Sequence, residues 1–375
     1  MSFPYGLQNS SEKVCLTKIG KLPRLKSMFL RSIYSCVFFC SFIFSFLFCA
    51  PDFSSSQNKE QSLQKTLGAF LLADGWDVLE ETKSKIGALP ARSPGSESDT
   101  EATVNLGRKI FSDRNLSLNQ IQSCTTCHIL DGRQAGTDGQ SVSRGTFGQI
   151  GRRNAPSILN VGYLKVLFWD GRKSSLEEQA VVPFLDPLEM ALPSEAELLN
   201  RLNADSQYAD LFKAAFPGSP SVSIASLRIA LSAFQRTLIT PSRFDDFANG
   251  NINALNYYEK RGLRTFLNLG CTNCHEGYML GGSQFKKLDT VYSYNPNDQG
   301  RYEFTGKDED KKFFRVPSLR NVTLTAPYFH DGSVRNLEAA IARMNHYEAP
   351  REISASEITE MISFLKSLSD KNREN

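Results

Sequence analysis

Two stretches of the chain carry the same five-residue pattern, Cys124-Thr125-Thr126-Cys127-His128 and Cys271-Thr272-Asn273-Cys274-His275. Cys-x-x-Cys-His puts two thiols and an imidazole on one helical turn. The thiols can bond both vinyl groups of one porphyrin while the imidazole ligates its iron from one face. Zinc is the competing chemistry for these side chains, but a zinc site needs further Cys or His ligands. The whole chain has four His, at 128, 275, 330 and 346. Of its eight Cys, four (Cys15, Cys36, Cys40 and Cys49) precede residue 50 and the others all belong to the two motifs. No thiol remains for a structural disulfide in the body, so the pattern reads as two covalently bound haem c groups.

The motifs sit in an internal repeat. Residues 155–180 align without a gap on 316–341, with nine identities over 26 positions. Pro156, Ser157, Asn160, Val161, Phe168, Asp170, Gly171, Leu176 and Glu177 recur as Pro317, Ser318, Asn321, Val322, Phe329, Asp331, Gly332, Leu337 and Glu338. Upstream, Gly107-x-x-x-Phe111 precedes the first motif and Gly262-x-x-x-Phe266 the second. The expectation is two tandem cytochrome c-type haem domains related by duplication.

The sixth iron ligand decides what each haem does. Met or His there gives an electron-transfer haem, and an open position can bind a small molecule such as peroxide. Met279, Met344, His346 and Met361 are the candidates after the second motif. At the repeat offset the counterpart of Met344 is Pro183, which offers iron no ligand. If Met344 closes the second haem, the first is open; Met344 as a plain core methionine is the alternative.

Helical periodicity appears over Glu195–Phe216, Ile224–Leu238 and Ser354–Leu368, the last with Glu357 placed for a capping box. Strand patterns are sparse, and the fold class expected is mostly α. Residues 1–49 read as a signal or lipoprotein leader with six basic residues against one acid, ending in the apolar run Ile33–Phe48. That run is short for a membrane span. Translation from Met28 is an alternative, and Cys49 could be lipidated, cleaved off or retained as an anchor. Without the leader the body holds 37 basic and 39 acidic residues, and no charge run suggests nucleic acid. Export to the periplasm is expected. Residues 50–100 form a polar segment with an amphipathic stretch at Leu63–Leu79 and a Pro/Ser/Gly-rich linker at Pro90–Thr100. Residues 101–250 would hold the first haem and 251–375 the second.

From about Leu106 onward the chain resembles the bacterial di-haem cytochrome c peroxidases and their relative, the methylamine dehydrogenase maturase MauG. Five stretches carry the likeness: Arg153-Asn154-Ala155-Pro156-Ser157, Phe168-Trp169-Asp170-Gly171-Arg172, Leu176-Glu177-Glu178-Gln179-Ala180, Pro187-Leu188-Glu189-Met190 and Ala326-Pro327-Tyr328-Phe329-His330-Asp331-Gly332. The resemblance implies that the first haem, on His128, is the low-potential site of peroxide reduction. Glu189 would be its distal acid/base, Gln179 would order peroxide, and Trp169 would conduct electrons between the haems. Met344 would ligate the second, high-potential haem, which takes electrons from a small cytochrome c or cupredoxin. Asn154 with the carbonyls of Thr325 and Pro327 would form a calcium site, and a homodimer is common in the family. A carboxylate suits the Glu189 role, because breaking the O–O bond moves a proton from one peroxide oxygen to the other. Taken alone, Glu189 reads as a surface carboxylate after Pro187, Trp169 as core and Gln179 as an exposed helix residue. His330 could bond a propionate or be a satisfied buried histidine. His346 reads as solvent-facing and is the fallback ligand.

The chain departs from the family in one loop. Many family peroxidases carry a His between the first motif and the Asn-Ala-Pro segment that caps the first iron until the second haem is reduced. Here the loop, about Ser141 to Gln149, has none, and Thr146 lies nearest its place. An open first haem that needs no reductive activation is therefore expected. MauG also leaves this haem open but has Tyr near the place of Met344, so Met344 favours a peroxidase. The alternatives are a MauG-like enzyme that oxidises a protein partner and a two-haem electron carrier.

Overall fold

The computed structural model describes residues 75–132, 134–219, 221–288 and 297–373. The leader, Cys49 and most of Leu63–Leu79 lie outside them. Among the described residues the chain is mostly helical, with short helices joined by long loops. Helix α1 is Trp76–Lys85, α2 Glu101–Ser112, and α3 is the single turn Cys124–Cys127. Next come α4 (Leu176–Gln179), α5 (Val182–Leu185), α6 (Glu195–Ala204), α7 (Ser206–Ala215) and α8 (Ile224–Arg236). The second half adds α9 (Arg243–Ala248), α10 (Tyr257–Asn268), α11 (Tyr302–Thr305), α12 (Leu337–Glu348) and α13 (Ala355–Lys366). The described strands are β1 (Phe285–Lys287) and β2 (Phe313–Arg315), antiparallel with Phe285 opposite Arg315.

Two apolar cores follow the two halves. The first joins α2, α6, α7 and α8 through Leu106, Ile110, Leu198, Leu202, Phe212 and Leu231. The second joins α9, α10 and α13 through Phe244, Phe247, Leu263, Phe266 and Phe364, and takes in Val78 and Leu79 of α1. The repeated glycines explain how each core closes. A Cβ on Gly107 would overlap the Ala230 carbonyl where α2 crosses α8, and one on Gly262 would overlap the Glu360 carbonyl where α10 crosses α13. The helices therefore touch backbone to backbone. The phenylalanine four residues after each glycine then packs on the partner helix, Phe111 on Phe234 at 5.2 Å and Phe266 on Phe364 at 5.3 Å. Gly262→Ala should cost about 1–3 kcal/mol by forcing α10 off α13. Urea denaturation would show it as a lower midpoint, and an unchanged midpoint would refute the close crossing.

Downstream of each motif the same turns recur. Asn160 and Asn321 adopt φ of 61° and 60°, and Phe168 and Phe329 adopt 66° and 71°. Asn160 and Asn321 both donate their side-chain amides to the hydroxyl of Thr240, at 2.6 and 2.9 Å, so the matched loops meet on one residue.

Two expectations need revision. The helix expected over Glu195–Phe216 is two helices, because extended Asp205 ends α6 and its carboxylate accepts from the Gln207 N–H to start α7. The Pro90–Thr100 linker is pinned rather than loose. Asp99 makes a two-pronged ion pair with buried Arg236, Tyr163 donates to the Pro90 carbonyl, and adjoining Leu89 donates its N–H to Asp245 at 2.7 Å. At the C-terminus, Ser354 and Glu357 form the expected capping box of α13.

Candidate functional site

The first motif is organised before any cofactor is considered. Ser123 and Thr126 cap α3 reciprocally, and the turn closes as the His128 N–H donates to the Cys124 carbonyl at 2.9 Å. His128 places Nδ1 3.0 Å from the Gly136 carbonyl, so Nδ1–H donates and the Nε2 lone pair is left to ligate a metal. Burial lowers the imidazole pKa despite that bond, keeping the ring neutral as an iron ligand requires. Neither thiol is in a disulfide. Burial, with nearby Glu189 and Cys127, pushes Cys124 up to about 12; burial pushes Cys127 up to about 11.

Cys124, Cys127 and His128 line a cavity of about 500 Å³, within the ~300–1,000 Å³ typical of enclosed cofactor sites. Glu189, Gln179, Trp169 and Pro183 share its wall. Glu189 lies on a tight turn after α5, where its N–H donates to the Asp186 carbonyl at 2.9 Å. Burial, reinforced by Asp186 and opposed by Arg172, raises its carboxyl to about 7. Pro183 stands where the repeat places the counterpart of Met344. Met190 is also a wall residue, but its side chain packs into the first core.

The loop at 141–149 is docked on this turn. Gly145 lets it approach closely, since a Cβ there would overlap the Leu188 carbonyl. Gln149 donates its amide to the Pro187 carbonyl, and the Thr146 N–H donates to the Glu189 carbonyl at 2.8 Å. The buried Thr146 hydroxyl donates to Asn119 Oδ1, and the Asn119 amide returns a bond to the Thr146 carbonyl. Thr146 is thus held on Asn119.

Around the second motif, Gly270 enters a 3₁₀ turn at Cys271–Asn273, and His275 Nδ1 sits 3.0 Å from the Leu280 carbonyl. Phe266 packs 6.5 Å from the His275 ring, and burial again lowers the imidazole pKa. Met344 is half-buried on α12 and is not among the side chains packed into the second core, whereas Ile341 of the same helix is. Met361 belongs to that core. Met279 is buried, and its carbonyl accepts from Ser318. His346 is exposed, with Nδ1 2.8 Å from Glu352. Among the four candidates, Met344 and buried Met279 both lie outside that core, and Met344 alone is half-buried.

Trp169 and its repeat counterpart His330 touch edge to face, with centroids 6.4 Å apart, and His330 stacks on Phe314 at 4.0 Å. Trp169 donates Nε1–H to the Asn154 carbonyl at 2.9 Å, and Asn154 donates its own N–H to the His330 carbonyl at 2.7 Å. The first cavity and the second half therefore meet at Trp169. The same bonds tie Asn154 to the backbone of His330. Its side-chain amide donates to the carbonyls of Gln140 and Ser141.

The family model described as di-haem cytochrome c peroxidase matches residues 101–253. A cytochrome c551 peroxidase of Nitrosomonas europaea is 40% identical over 269 residues, covering 71% of this chain and 79% of that protein. The chain belongs to the di-haem cytochrome c peroxidase/MauG family. Within this family, the MauG of Methylophilus methylotrophus is 32% identical over 300 residues, covering 75% of this chain and 86% of that one. A crystal structure of a MauG-like protein associated with microbial copper homeostasis superposes with a TM-score of 0.67 at 32% identity, over 76% of this chain and 95% of that chain.

The same cavity also holds charged residues outside the expected site set. Arg153 bridges the halves, pairing with Asp170 at 2.8 Å and with Asp298 at 2.7 Å, while Arg172 stacks 3.5 Å over Phe168 and pairs with Asp170. Arg153 and Arg172 lie in the stretches that carry the family resemblance. Their partner Asp298 has no sequence signal, because it comes from a distant loop.

Proposed function

We propose that this enzyme reduces hydrogen peroxide to water at the first cavity, with electrons that enter at the second haem from a small periplasmic cytochrome c or cupredoxin. The observation that carries the reading is the shared wall of that cavity: a haem-attachment motif, a carboxyl poised near neutrality, and Pro183 where a ligand would stand. The residues fit haem c at both sites, with paired cysteines outside any disulfide beside a His whose Nδ1 is already bonded. Haem there supplies an iron that binds peroxide oxygen and exchanges electrons.

The chain's own groups do the rest. Glu189 accepts a proton from one peroxide oxygen and returns it to the departing one. Gln179, on α4 at the same wall, orients peroxide. Trp169, in contact with His330, carries electrons across the boundary between the halves. Met344 would ligate the iron of a haem bound at the second motif, and a Met ligand there would raise its potential. The common turns of the two halves support their origin by duplication of one haem-binding unit, with domains at 101–250 and 251–375. Asn154 Oδ1 with the carbonyls of Thr325 and Pro327 is proposed as a calcium site; three neutral oxygens leave the remaining ligands to water. The leader is proposed to direct export to the periplasm, with Cys49 the candidate lipid anchor, and a homodimer is proposed from the family resemblance.

Because Thr146 replaces the capping His, the diferric enzyme should turn over peroxide without prior reduction. Stopped-flow oxidation of reduced cytochrome c should show no lag and no gain from pre-reduction. A lag abolished by pre-reduction would refute the open site. Absence of peroxide-driven turnover with any small donor would favour the MauG-like reading, or that of an electron carrier.

A further inference from the structure

The first cavity is ringed by five arginines, four of them already occupied. Arg153 and Arg172 share Asp170, Arg152 pairs with Glu303 at 2.7 Å, and Arg144 donates to the Gly148 carbonyl at 3.2 Å. Arg315, at the end of β2, differs. It is 3% exposed, its N–H donates to the Trp169 carbonyl at 2.7 Å, and its Nε–H donates to the Phe168 carbonyl at 3.1 Å. Among the described residues no carboxylate pairs with it. A buried guanidinium with no counter-charge is costly, and Arg315 lines the cavity, where an anion would compensate it. Burial alone pushes its pKa down to about 10.

The neighbouring acids cannot serve. Asp170 and Asp298 are held by Arg153, and Asp170 by Arg172 as well. Glu189 is under the influence of Arg172. A porphyrin joined through its vinyl groups still carries two free propionates, and a fork of N–H donors matches a carboxylate.

We propose that Arg315 is the counter-cation of a propionate of the first haem, fixing that haem against the strand that also grips Trp169. It is a positioning residue contributed by the second half to the first half's cofactor. The inference rests on the first cavity holding haem.

Arg315→Gln in the holoenzyme tests it. Removing a cation beside the haem favours the ferric state, so the midpoint potential of the first haem should fall. The expected fall is at least tenfold in the reduction equilibrium, about 59 mV for one electron. The second haem should not move, and Arg315→Lys should restore most of the shift. A pyridine haemochrome assay giving two haems per chain in each variant keeps failure of the haem assignment separate. Should Arg315→Gln fail to assemble, the propionate-bending band in the resonance Raman spectrum of the wild type should shift in D₂O, and Arg315→Lys should alter it. An unchanged first-haem potential in Arg315→Gln would overturn the proposal, as would a Raman band indifferent to both D₂O and Lys. So would a potential that follows added phosphate, which would assign the cation to a free anion.

Discussion

Glu189→Gln should lower kcat/KM for peroxide by about 10²–10⁴-fold, the range supplied by a positioned acid/base. The amide keeps the size and polarity of the carboxyl but cannot accept a proton. The pH profile makes the test specific. Burial and Asp186 outweigh Arg172 and hold the carboxyl near 7, so both forms coexist at neutral pH. Below that value the protonated form has no place for the peroxide proton. The rate of the wild type should therefore fall as pH drops through 7, about tenfold per unit, and level off above it. Glu189→Gln should lose this acid limb along with the activity. Steady-state assays across pH 5–9 would decide it; a variant that keeps the wild-type rate removes Glu189 from the mechanism.

Arg320→Met should cost about 3–5 kcal/mol of stability, the penalty for leaving one member of a buried ion pair uncompensated. Arg320 and Asp245 have side chains 1% and 7% exposed and meet in a two-pronged pair at 2.7 and 3.0 Å. Asp245 also accepts from Leu89 and Ser242, so one carboxylate ties the N-terminal segment, α9 and the loop after the second motif together. Burial alone would raise the Asp245 pKa, but Arg320 and the hydrogen bonds bring it below the ordinary value. A lowered carboxylate pKa contributes stability above its unfolded value of 3.8, and that stability is lost as pH falls through the folded value. In Arg320→Met the buried carboxylate loses its main partner, so this acid-labile share should vanish. Urea titrations at pH 7 and at a pH well below 3.8 would measure both effects, and a midpoint at pH 7 within error of the wild type would refute the hub.

What the sequence exposed was local chemistry and short-range pattern. The two Cys-x-x-Cys-His turns, Gly107 and Gly262 at the crossings, and the capping box at Ser354 are each specified within a few residues. The repeat offset set Pro183 against Met344, which is the basis for expecting unequal haems. Long-range pairing stayed hidden. Pro90–Thr100 has a linker's composition, yet Arg236 lies 137 residues from its partner Asp99, and nothing near either one signals the pair. Arg315 is one Arg among many until its burial and its want of a carboxylate partner among the described residues are seen together. Asp205 was hidden for a different reason: the apolar period runs on through it, while its side chain prefers to cap.

Two unlike haems are proposed, one open beside Glu189 and one closed by Met344. EPR of the purified diferric protein reports both sixth positions at once. One high-spin ferric signal, from the haem on His128, and one low-spin signal from a His–Met haem on His275 are predicted. Two low-spin signals with no high-spin component would contradict the proposal.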